Sequence, residues 1–323
     1  MENIAILCSG GDVSGMNAAL KRFVEYSIAK GLTPYFVDNG YEGLIDNTIY
    51  KAGYSDVAGI ISRGGTKIFT SRSSRFLEVK HRKQALDNLK LHNISYVVVL
   101  GGDGSFKGMQ KLSNESNDMS FAGIPATIDN DIAGTEYCLG VDTSLNVIKV
   151  AIDSIRDTAS SFKRAFVIEA MGRECGYLAL VSALTSGAEM CLIPEIPYDL
   201  DTYKERFKKE MKEGRAYFIT VVSEALKNSE EISKWFEEEV GVESRVMVLG
   251  HIQRGGNPTV YDRLMAFHFV THAIDGLLEG NKSSVICYND GGFNHKKIED
   301  VAFKKYQINQ GLLKLGMEYG AKL

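Results

Sequence analysis

Short apolar runs alternate with longer amphipathic stretches along almost the whole chain. The intervening stretches have helical periodicity, as at residues 16–30, where Ala18, Ala19, Phe23 and Ile28 share one side. This alternation indicates βαβ units, and we therefore expect an α/β fold with largely parallel sheets covered by helices. The apolar runs predict strands at residues 4–8, 34–37, 96–100, 121–124, 165–169, 190–193, 216–222, 245–248 and 284–288.

Length and composition narrow the class of protein. A chain of 323 residues predicts two domains, although no linker marks their boundary. A net charge of −4 gives no sign of nucleic-acid binding, and no apolar run approaches the ~20 residues of a membrane span. The scattered cysteines form no CxxC pair, and the first residues lack signal-peptide character, so we expect a cytoplasmic protein without a disulfide framework or zinc site.

Two glycine-rich turns each follow a predicted strand and open a predicted helix. The first runs from Ser9 to Asn17 and includes Gly11, and the second is Gly101-Gly102-Asp103-Gly104-Ser105. Glycine lets backbone N–H groups approach an anion, and a helix N-terminus favours negative charge. The second turn fits a polyphosphate with Asp103 facing its magnesium ion. The alternative for each turn is a tight connection without a ligand.

A third segment, Pro125-Ala126-Thr127-Ile128-Asp129-Asn130-Asp131, places two carboxylates close together on a loop. Such clustering is typical of a proton acceptor or a metal shell, and Asp129 is the candidate base. The alternative interpretation is an Asx-turn built by Asp129 and Asn130.

A basic group lies in the second half of the chain, beside predicted strand ends. Arginine suits phosphate oxygens, His251 can also donate to phosphate, and Glu224 can accept hydrogen bonds from sugar hydroxyls. Together these residues predict a sugar-phosphate pocket at the edge where α/β sheets present ligands. The group consists of Arg164, Met171-Gly172-Arg173, Glu224, Arg245, His251 and Arg254.

In order and spacing, SGGDVSGMNA, GGDGS, PATIDND, EAMGRECG and VLGHIQRGGNPTVYDR resemble the motifs of bacterial 6-phosphofructokinases. The resemblance covers essentially the whole chain. It implies two doubly wound lobes with the active site between them, an ATP and magnesium lobe at 1–140 and 252–303, and a fructose 6-phosphate lobe at 141–251 and 304–323. It also implies a homotetramer that transfers the γ-phosphoryl group of ATP to the 1-hydroxyl of fructose 6-phosphate in glycolysis.

The resemblance also assigns residues. ATP is expected at Gly11, Tyr41, Arg72, Ser73, Gly102, Asp103, Gly104 and Ser105, and magnesium at Asp103. Asp129 is expected to be the base, with Thr127 and Arg173 as further catalytic residues. Fructose 6-phosphate is expected at Thr127, Asp129, Asp131, Met171, Gly172, Arg173, Glu224, His251 and Arg254, with Arg164 and Arg245 reached across a subunit interface.

Comparison with the residues usual in this family at a few positions bears on the choice of phosphoryl donor and on regulation. Pyrophosphate-using relatives usually carry Asp in place of Gly104 and Lys in place of Ala126, so this chain has the ATP pattern. Ser73 replaces an aromatic residue common near the adenine. Lys21, Arg156, Glu189 and Arg215 match the effector site for ADP and phosphoenolpyruvate. Glu25, Tyr54 and Glu213 replace typically basic residues there and Gly59 a usual Asp, so we expect weak or absent regulation.

Three alternatives remain at this point. A pyrophosphate-dependent phosphofructokinase would share most of these motifs. An NAD kinase or lipid kinase would share only the GGDG[ST] turn, and a non-catalytic paralogue would bind nucleotide without turnover.

Overall fold

The computed structural model describes residues 2–320, which form two compact units. The first contains the chain up to Thr143 and Arg254–Tyr306, and the second contains Ser144–Gln253 and the segment from Gln307 onward. The chain thus crosses between units after residues 143, 253 and 306, where the resemblance implied 140, 251 and 303.

The first unit is built on a seven-stranded sheet of order β3-β2-β1-β4-β5-β10-β11. Its central pairs are parallel, and only β2 with β3 and β10 with β11 run antiparallel. The order reverses direction between β1 and β4, which is where open α/β sheets bind ligands. The strands are β1 Asn3–Cys8, β2 Thr33–Val37, β3 Ile49–Lys51, β4 Ile94–Gly101, β5 Ser120–Pro125, β10 Ser283–Asn289 and β11 Gly292–Lys297.

Helices cover this sheet because its inner strands are apolar on both faces. Val97, Val98, Val99 and Leu100 of β4 are all inaccessible to solvent. The helices are α1 Met16–Ala29, α2 Gly40–Asp46, α3 Val79–Leu91, α4 Asp103–Asn114 and α9 Val260–Leu278. A long helix, α5 Val141–Phe162, begins in this unit and continues into the second.

The second unit has a four-stranded, fully parallel sheet of order β7-β8-β6-β9. Phe207, Phe218 and Phe236 form its aromatic core, against which the half-buried Trp235 packs. The strands are β6 Ala165–Ala170, β7 Met190–Leu192, β8 Phe218–Ser223 and β9 Ser244–Val248, and the helices are α6 Tyr177–Ser186, α7 Leu200–Lys212, α8 Ser229–Trp235 and α10 Gln310–Gly320.

The predicted α/β class is confirmed, and every predicted strand is present within two residues of its expected ends. The short β3 and the polar β11 were not predicted. Both are antiparallel edge strands, and the sequence of β11, GFNHKK, lacks the apolar run of a buried strand. All five cysteines are free thiols. Within residues 2–320, every helix is too short or too polar to cross a bilayer.

Candidate active site

The three predicted loops of the first unit lie side by side at the carboxyl ends of β1, β4 and β5. The Ser9 amide donates to the Leu100 carbonyl at 2.9 Å, and the Ala126 amide donates to the Gly101 carbonyl at 3.0 Å. The parallel register places Cys8 beside Leu100 and Gly101 beside Pro125. The fold therefore gathers three separate motifs, the first of which lies more than eighty residues before the other two in the chain.

Ser105 joins the two glycine turns. Its buried hydroxyl donates to the Ser9 carbonyl at 3.0 Å. A β-carbon at Gly101 would lie only 2.6 Å from that same carbonyl oxygen. Glycine is required at 101 because the turns approach each other this closely. On the other side, a β-carbon at Gly102 would lie 3.5 Å from the β-carbon of Thr127.

Asp103 is the first residue of α4, at the helix end that attracts anions. Its Oδ2 lies 2.5 Å from Nζ of Lys107, one turn later, and its side chain stays about one-third exposed (34%). Gly104 is exposed, and a β-carbon there would meet no atom within 4 Å. The N-terminus of α4 thus presents one carboxylate and an open approach to its backbone.

The first glycine turn carries an unexpected neighbour, Arg254. The guanidinium of Arg254 lies against Gly11, where any side chain would collide with it, and Nη1 donates to the Asp12 carbonyl at 3.4 Å. Ser14 fixes the next part of the turn by donating to the Gly256 carbonyl at 2.7 Å. The sequence grouped Arg254 with the acceptor pocket, and the structure places it in the first unit beside the first glycine turn.

Residues 70–73 also border the first turn. The Gly10 amide donates to the Ser71 carbonyl at 3.2 Å, and the Thr70 hydroxyl donates to the Gly10 carbonyl at 3.0 Å. The adjacent Arg72 is exposed, whereas the Ser73 hydroxyl accepts from the Phe76 amide at 3.0 Å. Of the two predicted nucleotide contacts here, Arg72 has the more accessible side chain.

Tyr41 lies beneath the second turn. Its ring is only 4% exposed and stacks on Phe76 at 4.0 Å between centroids, and its hydroxyl donates to the Ser105 carbonyl at 2.6 Å. Burial raises the pKa of this phenol well above its usual range. In this arrangement Tyr41 supports the start of α4 from below.

The Asp129 turn is ordered by its neighbour, Asn130. Both residues are inaccessible to solvent, and Asn130 adopts a left-handed backbone with φ of 50°. Its side-chain oxygen accepts from the Cys138 amide at 2.9 Å, and its nitrogen donates to the Glu136 carbonyl at 3.1 Å. Sequence reasoning did not select Asn130 as a site residue, although asparagine between two aspartates is a signal for a left-handed turn position.

Thr127 and Asp131 flank this turn. The Thr127 hydroxyl accepts from the Asp129 amide at 3.2 Å, and Asp131 is half-buried. Burial raises the pKa of the nearby Cys138 thiol well above its usual range, and the carboxylates of Asp131 and Asp129 add to the effect. Negative charge is thus concentrated at this turn.

In the second unit, three predicted contact regions meet at the carboxyl ends of β6, β8 and β9. These are the turn Met171-Gly172-Arg173, which follows β6, the residue Glu224, which follows β8, and His251, which follows β9. Oε1 of Glu224 accepts from the Gly172 amide at 3.1 Å and from the Arg173 amide at 2.7 Å. The side chains of Arg173 and His251 are exposed.

Arg164 and Arg245 lie at the opposite end of this sheet. Arg164 precedes β6 and Arg245 is the second residue of β9, so both are at amino ends. Nε of Arg164 lies 2.7 Å from Oε2 of Glu243, and Arg245 pairs with the other oxygen of the same carboxylate. The expectation that every basic residue of the group faces the ligand-binding edge is therefore wrong for these two.

A cavity of about 400 Å³ opens near Glu224. Its charged lining has four carboxylates and one ammonium group, so it repels phosphate. The lining residues are Glu169, Glu224, Lys227, Ser229, Glu230, Glu231, Val246 and Val248.

The residues expected at an effector site are paired with carboxylates of their own units. Nζ of Lys21 lies 2.5 Å from Oε1 of Glu25 within α1. In the second unit, Oε1 of Glu189 lies 2.7 Å from Nη1 of Arg215 and 4.0 Å from Nη1 of Arg156. Part of the positive charge that an anionic effector needs is thus already neutralised.

These features define an α/β protein whose first unit gathers two glycine-rich turns and an acidic loop at one edge of its sheet. The chain belongs to the phosphofructokinase family, because the sequence profile of that family, described as phosphofructokinase, matches residues 3–277.

Relatives and solved structures agree with this assignment. The chain is 75% identical over 319 residues to the ATP-dependent 6-phosphofructokinase of Sulfurovum sp. (strain NBC37-1), covering 99% of this chain and 98% of that protein. It is 42% identical to the enzyme of that name from Bacillus pumilus (strain SAFR-032), covering 98% and 99% respectively. The phosphofructokinase structure from Saccharomyces cerevisiae superposes with a TM-score of 0.86 at 31% identity over 98% of this chain, which spans 46% of the yeast chain.

Proposed function

We propose that this chain transfers the γ-phosphoryl group of ATP to the 1-hydroxyl of fructose 6-phosphate, a step of glycolysis, giving fructose 1,6-bisphosphate and ADP. The observation that carries the proposal is the contact of three loops in the first unit, where Ser105 bonds to Ser9 and Ala126 bonds to Gly101. One loop supplies backbone donors for phosphate, the next adds a helix N-terminus with a carboxylate, and the third adds a buried aspartate.

The donor side of the proposal uses ATP with magnesium. Within residues 2–320, no group of three or more His, Cys, Asp and Glu side chains could hold a metal ion alone. The lone carboxylate of Asp103 nevertheless fits magnesium, which is usually bound by one or two carboxylates together with substrate phosphates. Asp103 would hold the metal together with substrate phosphates, and a bound metal would supply charge neutralisation for the transfer.

On the acceptor side, Asp129 takes the proton of the attacking hydroxyl. A fully buried carboxylate on an ordered turn has the fixed position that a general base requires. The exposed guanidinium of Arg173 stabilises negative charge on the transferring group. His251, Arg254 and the 171–173 turn bind the sugar phosphate.

The choice of ATP over pyrophosphate rests on Gly104 and Ala126. A β-carbon at Gly104 would meet no protein atom within 4 Å, so the approach of nucleotide phosphates to this position is unobstructed by its immediate neighbours. The structure of the pyrophosphate-dependent phosphofructokinase from Marinobacter aquaeolei is only 19% identical to this chain, and its likeness supports the fold alone.

The test is the initial rate of fructose 1,6-bisphosphate formation with ATP and with pyrophosphate in parallel. We expect activity with ATP alone. Activity with pyrophosphate would reject ATP as the specific donor. No measurable rate with either donor would favour another sugar phosphate as the acceptor, or a non-catalytic paralogue. A magnesium titration of the ATP reaction tests the metal.

We further propose a cytoplasmic homotetramer with weak control by ADP and phosphoenolpyruvate. The pairing of Lys21 with Glu25 and of Arg215 with Glu189 supports the second point, since a phosphate would have to displace both carboxylates. Strong, saturable inhibition by phosphoenolpyruvate would contradict it. Light scattering of the purified chain tests the tetramer.

A further inference from the structure

The turn that carries Arg173 has an unusual backbone. Gly172 has φ of 141°, and a β-carbon there would collide with the Cys175 carbonyl. Arg173 itself has φ of 52°, in the left-handed region that residues with a β-carbon rarely occupy. Such a conformation persists only when surrounding contacts enforce it.

Two side chains supply those contacts by binding three consecutive amides. Oε1 of Gln253 accepts from the Met171 amide at 3.1 Å, and Oε1 of Glu224 accepts from the next two amides, Gly172 and Arg173. The acceptors come from separate elements, one after β9 and one after β8. The turn after β6 is therefore clamped from both neighbouring strands of the sheet.

Gln253 is well suited to holding the 171–173 turn because both the oxygen and the nitrogen of its side-chain amide form hydrogen bonds. Its side chain is 1% exposed, and its Nε2 donates to the Gly250 carbonyl at 3.0 Å while its oxygen binds Met171. A buried amide with both groups satisfied has one favoured orientation. It thereby couples the backbone after β9 to the position of the 171–173 turn.

We propose that Gln253 is a positioning residue that acts through Arg173: it fixes the 171–173 turn so that the guanidinium is held where phosphoryl transfer needs positive charge. The proposal rests on the proposed function. Gln253 was not among the residues that the sequence selected, because its neutral side chain between Ile252 and Arg254 offers neither a charge for a phosphate nor a base.

A double-mutant cycle in kcat tests the proposal. Gln253→Met keeps the side-chain length but removes both hydrogen bonds, and we expect kcat to fall between about tenfold and a hundredfold, with the KM for ATP within about twofold. Gln253→Glu keeps an acceptor for the Met171 amide and should retain more of kcat. In an Arg173→Ala background, Gln253→Met should cost less than about threefold, because the group it positions is gone.

A purely structural role predicts a different pattern. Gln253→Met would then lower thermal stability and the folded fraction, while the kcat per folded enzyme and its dependence on Arg173 stayed the same. Additive losses in the cycle, or an unchanged kcat in Gln253→Met, would overturn the proposal. Gln84→Met is the control, since the Gln84 amide donates to the Ile45 carbonyl within the first unit, whereas the 171–173 turn belongs to the second.

Hydrogen exchange of the peptide containing Met171 and Arg173 separates this proposal from the proposed function. Faster exchange in Gln253→Met than in wild type is expected even if the wild-type chain phosphorylates no sugar. Unchanged exchange would reject the clamp. A wild type without kinase activity, together with faster exchange, would reject the proposed function and the catalytic half of this inference while preserving the clamp itself.

Discussion

Nζ of Lys107 lies 2.5 Å from Oδ2 of Asp103 and faces the ring of Phe303 at 5.2 Å from its centroid. The carboxylate proposed to face magnesium therefore has a built-in counter-ion. The acidic residue precedes the lysine by one helical turn, the order that agrees best with the helix dipole. A metal ion that approaches Asp103 must displace Lys107 or share the carboxylate with it.

Lys107→Met should therefore strengthen metal binding. Loss of a half-exposed pair of this kind is worth about 0.3–1 kcal/mol, which corresponds to an affinity gain of about two- to fivefold. The measurement is Mn²⁺ binding to the enzyme–ADP complex by water-proton relaxation, with the metal dependence of the rate as a second readout. Lys111→Met, one turn further along α4, is the control. Weaker metal binding in Lys107→Met would show that the ammonium group helps to hold the phosphates.

Asp129→Asn should keep the fold and lose turnover. The amide nearly matches the carboxylate in size but cannot accept a proton, so kcat should fall by about two to four orders of magnitude. Isothermal titration should still detect fructose 6-phosphate binding, and circular dichroism should match wild type. Near-normal turnover would remove Asp129 from the role of base.

The sequence predicted the elements that are fixed by local pattern. Buried parallel strands such as β4 are long apolar runs, and the glycine turns after β1 and β4 are local motifs, so both could be located without a structure. Because parallel strands end at one edge, the meeting of these turns with the Asp129 loop was also a reasonable expectation.

Properties that depend on distant contacts could not be predicted in this way. Tyr41 lies beneath the second glycine turn because Phe76, thirty-five residues later, stacks on its ring. Arg254 contacts Gly11 because the chain returns to the first unit at that residue. Arg164 and Arg245 are a different case, because the predicted strands begin at residues 165 and 245 and already placed both side chains at amino strand ends.

Gly104→Asp should shift the enzyme away from ATP. The site has room for the side chain, so the protein should fold, and the new carboxylate would crowd and repel the nucleotide phosphates. We expect the KM for ATP to rise at least about tenfold, which costs about 1.4 kcal/mol of binding. Gly104→Ala is the control for the loss of glycine and should change the KM little. A similar rise in both variants would mean that Gly104 is needed for its backbone and not for its lack of charge.

A cluster of histidines in the first unit should make stability fall in mild acid. The rings of His272 and Phe293 stack at 4.8 Å between centroids, and the ring of His295 fills the space beside Gly276. Burial lowers the pKa of His272, with a smaller effect from the neighbouring His268. Burial also lowers the pKa of His295, with a smaller effect from His272.

The carboxylates of Asp275 and Glu279 raise the pKa of His272, and Glu279 raises that of His295, but the lowering by burial is the larger effect on each.

In the unfolded chain the imidazoles of His272 and His295 take up protons around their ordinary pKa of 6.5, whereas in the folded chain they take up protons only at lower pH. The unfolded state therefore binds more protons over this interval, and the free energy of unfolding must decrease as the pH falls through it. Above about pH 7.5 the imidazoles of His272 and His295 are neutral in both states and the effect vanishes. Urea unfolding between about pH 5 and pH 8 should show this loss of stability in wild type. The double variant His272→Gln, His295→Gln should show a flatter profile. Parallel profiles for the double variant and wild type would assign the acid sensitivity to other groups.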